Sequence, residues 1–158
     1  MESRNRKVIL TVVVAFFAAV CISAMIPTDR NYVEVNRAFH GLEEVLVNLE
    51  IVGEDTVLLT FQFSNASSLE LVLENVQFNL YANREYLGNF DRRQKTILKP
   101  GETIVVVEAK IHPHYLPRMQ EQLASSRVNW FLYGGSVVEL PFERRTFNLE
   151  ISEGWVST

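Results

Sequence analysis

Hydrophobic and polar positions divide the chain into two regimes. From Val8 to Ile26 the residues run VILTVVVAFFAAVCISAMI without a charge, about 19 positions, near the ~20 that a helix needs to cross a bilayer core. A buried core helix would show a polar face every 3.6 residues, whereas here only Thr11 and Ser23 interrupt, and their hydroxyls can bond to their own helix. Pro27 is expected to end this helix, and PTDRNYVEVNRAFHG shows no clean period, so residues 27–42 are expected to be a juxtamembrane tether. Beyond it the period becomes two. Val57, Leu59, Phe61 and Phe63 alternate with Leu58, Thr60 and Gln62, and Val76, Phe78 and Leu80 alternate with Asn75, Gln77 and Asn79, as half-buried strands require. Glu44 to Ile51 alternates too, which sets Val45, Val47, Leu49 and Ile51 on one face.

Thr103 to Ile111 and Arg145 to Ile151 read as further strands. Turn residues punctuate the runs at Asn65-Ala66-Ser67-Ser68, Asn83-Arg84, Pro100-Gly101 and Gly134-Gly135. The last pair lies between Val128 to Tyr133 and Ser136 to Leu140, so a tight two-residue hairpin is expected there. His114 to Ser125 is the one stretch after Pro27 with helical spacing, through Leu116, Met119 and Leu123, and Pro117 suits its first turn. Seven or so short strands with one brief helix predict an all-β domain of two packed antiparallel sheets, a β-sandwich over residues 43–152 with a C-terminal tail at 153–158.

Charge gives the apolar run a direction. Arg4, Arg6 and Lys7 precede it and acidic residues prevail after it within a net charge of -4. The basic end is expected to stay in the cytoplasm as residues 1–7, with a single pass over 8–26 and the C-terminal domain outside. A signal peptide also begins with positive charge, so secretion after cleavage near Ser23 or Ala24 is the alternative. An acidic domain lacks the basic footprint of a nucleic-acid binder. With Cys21 as the sole cysteine, inside the apolar run, neither an intramolecular disulfide nor a thiolate metal site can be built.

The segment from Ser64 to Phe90 resembles the late-embryogenesis-abundant type 2 family, also called LEA14-like or the water-stress and hypersensitive-response domain. The features that carry the likeness are the Asn65 corner, the Leu80-Tyr81 pair closing a long strand, Asn83, and Leu87-Gly88. Leu98-Lys99-Pro100-Gly101-Glu102, the Leu-Tyr-Gly-Gly run ending at Gly135, and Pro141-Phe142 extend it from about Glu43 to Ile151. This chain departs from the family at Asn65-Ala66-Ser67, where Asn-Pro-Asn is usual, and at Asn83-Arg84, where Asn-Gly is usual. The resemblance implies a fibronectin-type-III-like or immunoglobulin-like sandwich without catalytic residues, associated with stress protection or binding.

Candidate chemistry is sparse. His112 and His114 flank Pro113 and could face one side of an extended segment, but no third ligand can be named and no metal site is expected. Arg92, Arg93 and Lys95, with Arg84 nearby in sequence, form a candidate basic contact patch for an acidic partner or anionic headgroups. Asn65-Ala66-Ser67 is an N-glycosylation sequon, although asparagine also suits a tight corner. No phosphate loop, nucleophile elbow or His-Glu-x-x-His helix is present, so neither catalysis nor a cofactor is expected. The expected partners are the membrane, through Val8 to Ile26, and a protein at its outer surface. An alternative role is a structural subunit of a larger membrane complex, which Ala15 and Ala19 would serve as a small-residue packing face.

Overall fold

The computed structural model describes residues 2–124, 127–140 and 146–157, and within these the side chains of 2–10, 26–30, 146–153, 155 and 157 lie outside the description. Two units are distinguished, Met1–Asn36 and Arg37–Thr158. The first consists of helix. The element α1 spans Glu2–Gly41, and every side chain from residue 11 to residue 25 is exposed. Among the described residues, no helix is long and apolar enough to cross a membrane. Part of the expected span, residues 8–10 and 26, lies outside the described side chains.

Pro27 does not end the helix, and residues 27–41 are helical rather than a tether. Proline fixes φ near the helical value, so the assignment continues through it at the loss of one backbone hydrogen bond. The last turn belongs to the second unit. There Ala38 is fully buried, Leu42 is buried four residues later, and the Gly41 carbonyl accepts a hydrogen bond from Ala66 N–H at 3.1 Å.

The second unit is the expected two-sheet sandwich. Its elements are β1 (Leu42–Val52), β2 (Thr56–Asn65), β3 (Leu71–Ala82), β4 (Glu85–Arg92), β5 (Thr96–Leu98), β6 (Gly101–Lys110), α2 (Leu116–Leu123), β7 (Val128–Glu139) and β8 (Thr146–Ser157). One sheet has the order β1-β2-β6. The other has the order β4-β3-β7-β8, with β5 also on β3, and all the pairings are antiparallel. The alternations read in β2 and β3 hold, since Val57, Leu59, Phe61 and Phe63 are buried, as are Val76, Phe78 and Leu80. The Phe61 and Phe78 rings meet at 6.0 Å between the two sheets. Each such side chain contributes roughly 1.5–3 kcal/mol through its burial.

Three strand expectations change. In β1 the buried residues are Leu42, Leu46 and Leu49, while Val45 and Val47 face outward. A bulge causes this: Leu46 pairs with Phe61 and Asn48 with Thr60, so Val47 is an extra residue and the alternation slips. Gly134-Gly135 makes no hairpin, because β7 runs through it as one strand between β3 and β8. A Cβ on Gly134 would fall onto the Gln77 carbonyl oxygen and lie 2.5 Å from Phe78 Cα, so this glycine serves a close strand approach. Finally, β8 reaches Ser157, so most of the expected tail is strand. Pro141-Phe142, Ser125 and Arg145 lie outside the described residues.

Candidate binding site

The β3–β4 hairpin turns on Asn83 (φ 47°) and Arg84 (φ 78°), positive values at both central positions. Asn83 also ties the hairpin to its surroundings. Its N–H donates to the Asn129 carbonyl at 2.7 Å, its Oδ1 accepts Asn129 N–H at 2.9 Å, and its Nδ2 donates to Gln122 Oε1 of α2 at 3.1 Å. With the turn fixed, Tyr81 stands opposite Tyr86. Leu80 pairs with Gly88, so Leu87 is an extra residue, and both Leu87 and Gly88 are buried. This bulge hides β4 from a period-two search.

A row of rings crosses the outer side of the five-stranded sheet. Tyr133 on β7 lies 5.7 Å from Tyr81, Tyr81 lies 5.5 Å from Tyr86, and Tyr86 lies 5.5 Å from Tyr115, all edge to face. Tyr115 then meets His114 at 5.1 Å and His112 at 6.4 Å. Its position is set by the turn before α2, where Tyr115 N–H donates to the His112 carbonyl and Met119 N–H to the Tyr115 carbonyl. Met119, fully buried, anchors that helix. Beside the tyrosines runs a chain of amides, in which Gln77 Nε2 donates to Asn89 Oδ1 at 3.1 Å and Asn89 Nδ2 to Asn79 Oδ1 at 2.9 Å.

The row ends in a cavity of about 430 Å³ lined chiefly by Tyr86, Phe90, Lys110, His112, His114 and Tyr115. Lys110 Nζ lies 3.5 Å from Asp55 Oδ2. His112 Nδ1 accepts the His114 N–H at 3.2 Å. The fold therefore brings the histidine pair into a pocket, but among the described residues no group of three His, Cys, Asp or Glu side chains could hold a metal ion. The lining offers rings, tyrosine hydroxyls and imidazoles, which suit stacking and hydrogen bonding to a ligand.

The other two sequence candidates are dispersed or closed. Arg84 lies at one end of β4 and Arg92 at the other, about 25 Å apart for an eight-residue strand, so they form no single patch. The remaining cations are engaged. Arg92 donates to the Gln94 carbonyl and to Thr96 Oγ1, Arg93 pairs with Asp91 at 2.5 Å, and Lys95 bonds Glu74 at 2.7 Å with Glu139 at 4.0 Å. The hydrogen bond and charge of Lys95 hold the Glu74 carboxyl below its ordinary value, and Glu74 raises Lys95 in return. Asn65 is only 3% exposed. Its Nδ2, the atom that would carry a glycan, donates to the carbonyls of Leu69 at 2.7 Å and Leu98 at 3.3 Å, while its Oδ1 accepts from Ser67 N–H and Oγ–H. In the folded domain Asn65 is thus built into the corner, with both atoms of its amide bonded.

The tyrosine row is the feature that sequence reasoning missed. Its one signal is Tyr81, an aromatic on the polar face that Asn75, Gln77 and Asn79 begin. Tyr86 and Tyr133 join it through strand register, and Tyr115 through the turn before α2.

No family model matches the chain, and no curated protein matches it significantly. Solved structures do. A protein described as late embryogenesis abundant (LEA), At2g46140.1, is similar with a TM-score of 0.59 at 12% identity, over 88% of this chain and 83% of that one. AT1g01470 from Arabidopsis thaliana is similar with a TM-score of 0.56 at 17% identity, over 73% of this chain and 81% of that one. The fold is LEA14-like. A protein from Archaeoglobus fulgidus shares it with a TM-score of 0.51 at 9% identity, over 74% of this chain and 94% of that one. At these identities the LEA14-like likeness is one of backbone architecture. In this chain Asn65-Ala66-Ser67 forms a closed corner and Asn83-Arg84 a turn with two positive φ values.

Proposed function

We propose that the chain is a non-catalytic binding or protective domain, LEA14-like in fold, held at the outer face of a membrane by the apolar run Val8 to Ile26. The observation that carries the binding role is the tyrosine row running into the ring-lined cavity. Three tyrosines on the outward side of a sheet, joined by Tyr115 of the turn before α2, are not needed to close its core. The anchor is supported by Val12, Phe16, Phe17, Ile22 and Met25, each about 60% or more exposed and distributed around the helix, a surface that suits an apolar surrounding. Arg4, Arg6 and Lys7 support an inside N-terminus.

A second reading, a structural subunit of a membrane complex, is favoured by one local feature. Ser23 Oγ donates to the Ala19 carbonyl at 2.8 Å, so the Ala15, Ala19 and Ser23 face presents small, internally satisfied groups to a neighbouring helix. One preparation tests both. Native membranes are extracted with alkaline carbonate, and the retained protein is analysed by intact mass and by native electrophoresis in mild detergent. A retained, full-length monomer supports the anchored binding domain. A mature form beginning near Ala24 or Met25 would replace the anchor with secretion, and a stable hetero-complex would favour the subunit reading.

A further inference from the structure

The outer face of the β1-β2-β6 sheet carries four ordered rows of side chains. Glu43, Ser64 and Glu102 pair across the three strands, followed by Val45, Gln62 and Ile104, then Asn48, Thr60 and Val106 with bulged Val47 beside them, then Glu50, Leu58 and Glu108. Ile104 and Val106 are 55% and 51% exposed, and Val45 is 46% exposed. Two apolar edges, Val45 with Val47 on β1 and Ile104 with Val106 on β6, thus flank Gln62 and Thr60 of β2, and this strip is closed at each end by two exposed carboxylates. Lys110, one row further on, is held by Asp55.

From these rows we infer that this face docks an amphipathic helix with basic ends, supplied by another protein. The dimensions argue for a helix. Two inter-strand spacings make the strip about 10 Å wide, the diameter of one helix, and six residues from Glu102 to Glu108 set the acidic rows about 20 Å apart, roughly thirteen helical residues. The charges argue for the partner. A second copy of this chain laid face to face would set acidic rows near acidic rows, and an anionic lipid surface would be repelled in the same way. Lysine or arginine at both ends of an apolar helix would meet all four carboxylates while the apolar strip is covered. The inference rests on neither the tyrosine row nor the anchor.

The test uses the full chain in phosphatidylcholine nanodiscs with methyl-labelled valine and isoleucine, and empty nanodiscs as the blank. The probes are a 16-residue alanine-leucine helix bearing two lysines at each end and its counterpart bearing glutamates. The lysine-ended peptide is expected to shift the methyls of Val45, Val47, Ile104 and Val106 and to bind about tenfold tighter or more at low salt, with the difference narrowing as salt is raised. In the double variant Glu102→Lys with Glu108→Lys, surface changes that leave the core intact, the preference should move to the glutamate-ended peptide. Equal binding of both peptides, no binding of the lysine-ended one, or shifts confined to other methyls would overturn the inference. So would concentration-dependent self-association that Ile104→Lys abolishes, which would assign the face to a second copy.

Discussion

Gly134 passes so close to Phe78 that a single added carbon would lie 2.5 Å from the Phe78 Cα. The two residues are register partners in the central pair of the larger sheet, and Phe78 is also the ring that meets Phe61 of the other sheet. A position read as a turn therefore sets how closely β7 runs beside β3.

Gly134→Ala should accordingly destabilise the fold. The new Cβ overlaps main-chain atoms, which cannot rotate away, so β7 must move off β3 at an expected penalty of about 3 kcal/mol. Urea unfolding followed by tryptophan fluorescence, with Trp130 in the same strand, would show the midpoint falling. An unchanged midpoint would mean that the strands have room to spare.

Arg84→Gly should act in the opposite direction. Arg84 holds φ at 78°, a region that costs an ordinary residue about 1 kcal/mol and glycine almost nothing. Asn-Gly is the preferred pair for a turn with two positive φ values. The variant should gain roughly 0.5–1 kcal/mol in the same unfolding assay, with the tyrosine row intact.

Asn65→Ala should cost about 2–3 kcal/mol, because the Leu98 carbonyl at this buried corner loses its Asn65 donor and Ser67 loses its acceptor. Ser67→Ala, which removes the same sequon and the hydroxyl's two bonds, to Asn65 Oδ1 and from Leu69 N–H, but leaves the Asn65 amide bonded to Leu69 and Leu98, should cost less. Intact mass of the native protein should show no glycan at Asn65.

Glu74 and Lys95 should titrate as a pair. The Glu74 carboxyl is lowered from 4.5, so its contribution is present above that value and fades as pH falls through the lowered one. Lys95 is raised from 10.5, so its contribution is present below that value and is lost as pH rises through the raised one. Lys95 is exposed and Glu74 half-buried at the surface, so the readout is titration by carboxyl-detected NMR rather than stability. Lys95→Met should return Glu74 to an ordinary glutamate titration. No change on substitution would mean that the 2.7 Å bond does not persist in solution.

Local pattern by itself determined much of this protein. The period-two runs of β2 and β3 named their buried residues correctly, because alternation is a property of one extended strand and needs no partner to be read. The Asn65 corner, the Asn83-Arg84 turn and α2 were legible for the same reason, since each depends on the conformational preferences of a few consecutive residues. Tertiary structure decided what depends on pairing. Val47 is an extra residue only relative to β2, which turns Val45 outward and builds the acid-bounded strip. Gly134 is a contact glycine only relative to Phe78, and Arg84 and Arg92 separate only because β4 is extended between them. The tyrosine row draws on β3, β4, β7 and the turn before α2: strand register sets Tyr81, Tyr86 and Tyr133 side by side, and the turn before α2 adds Tyr115.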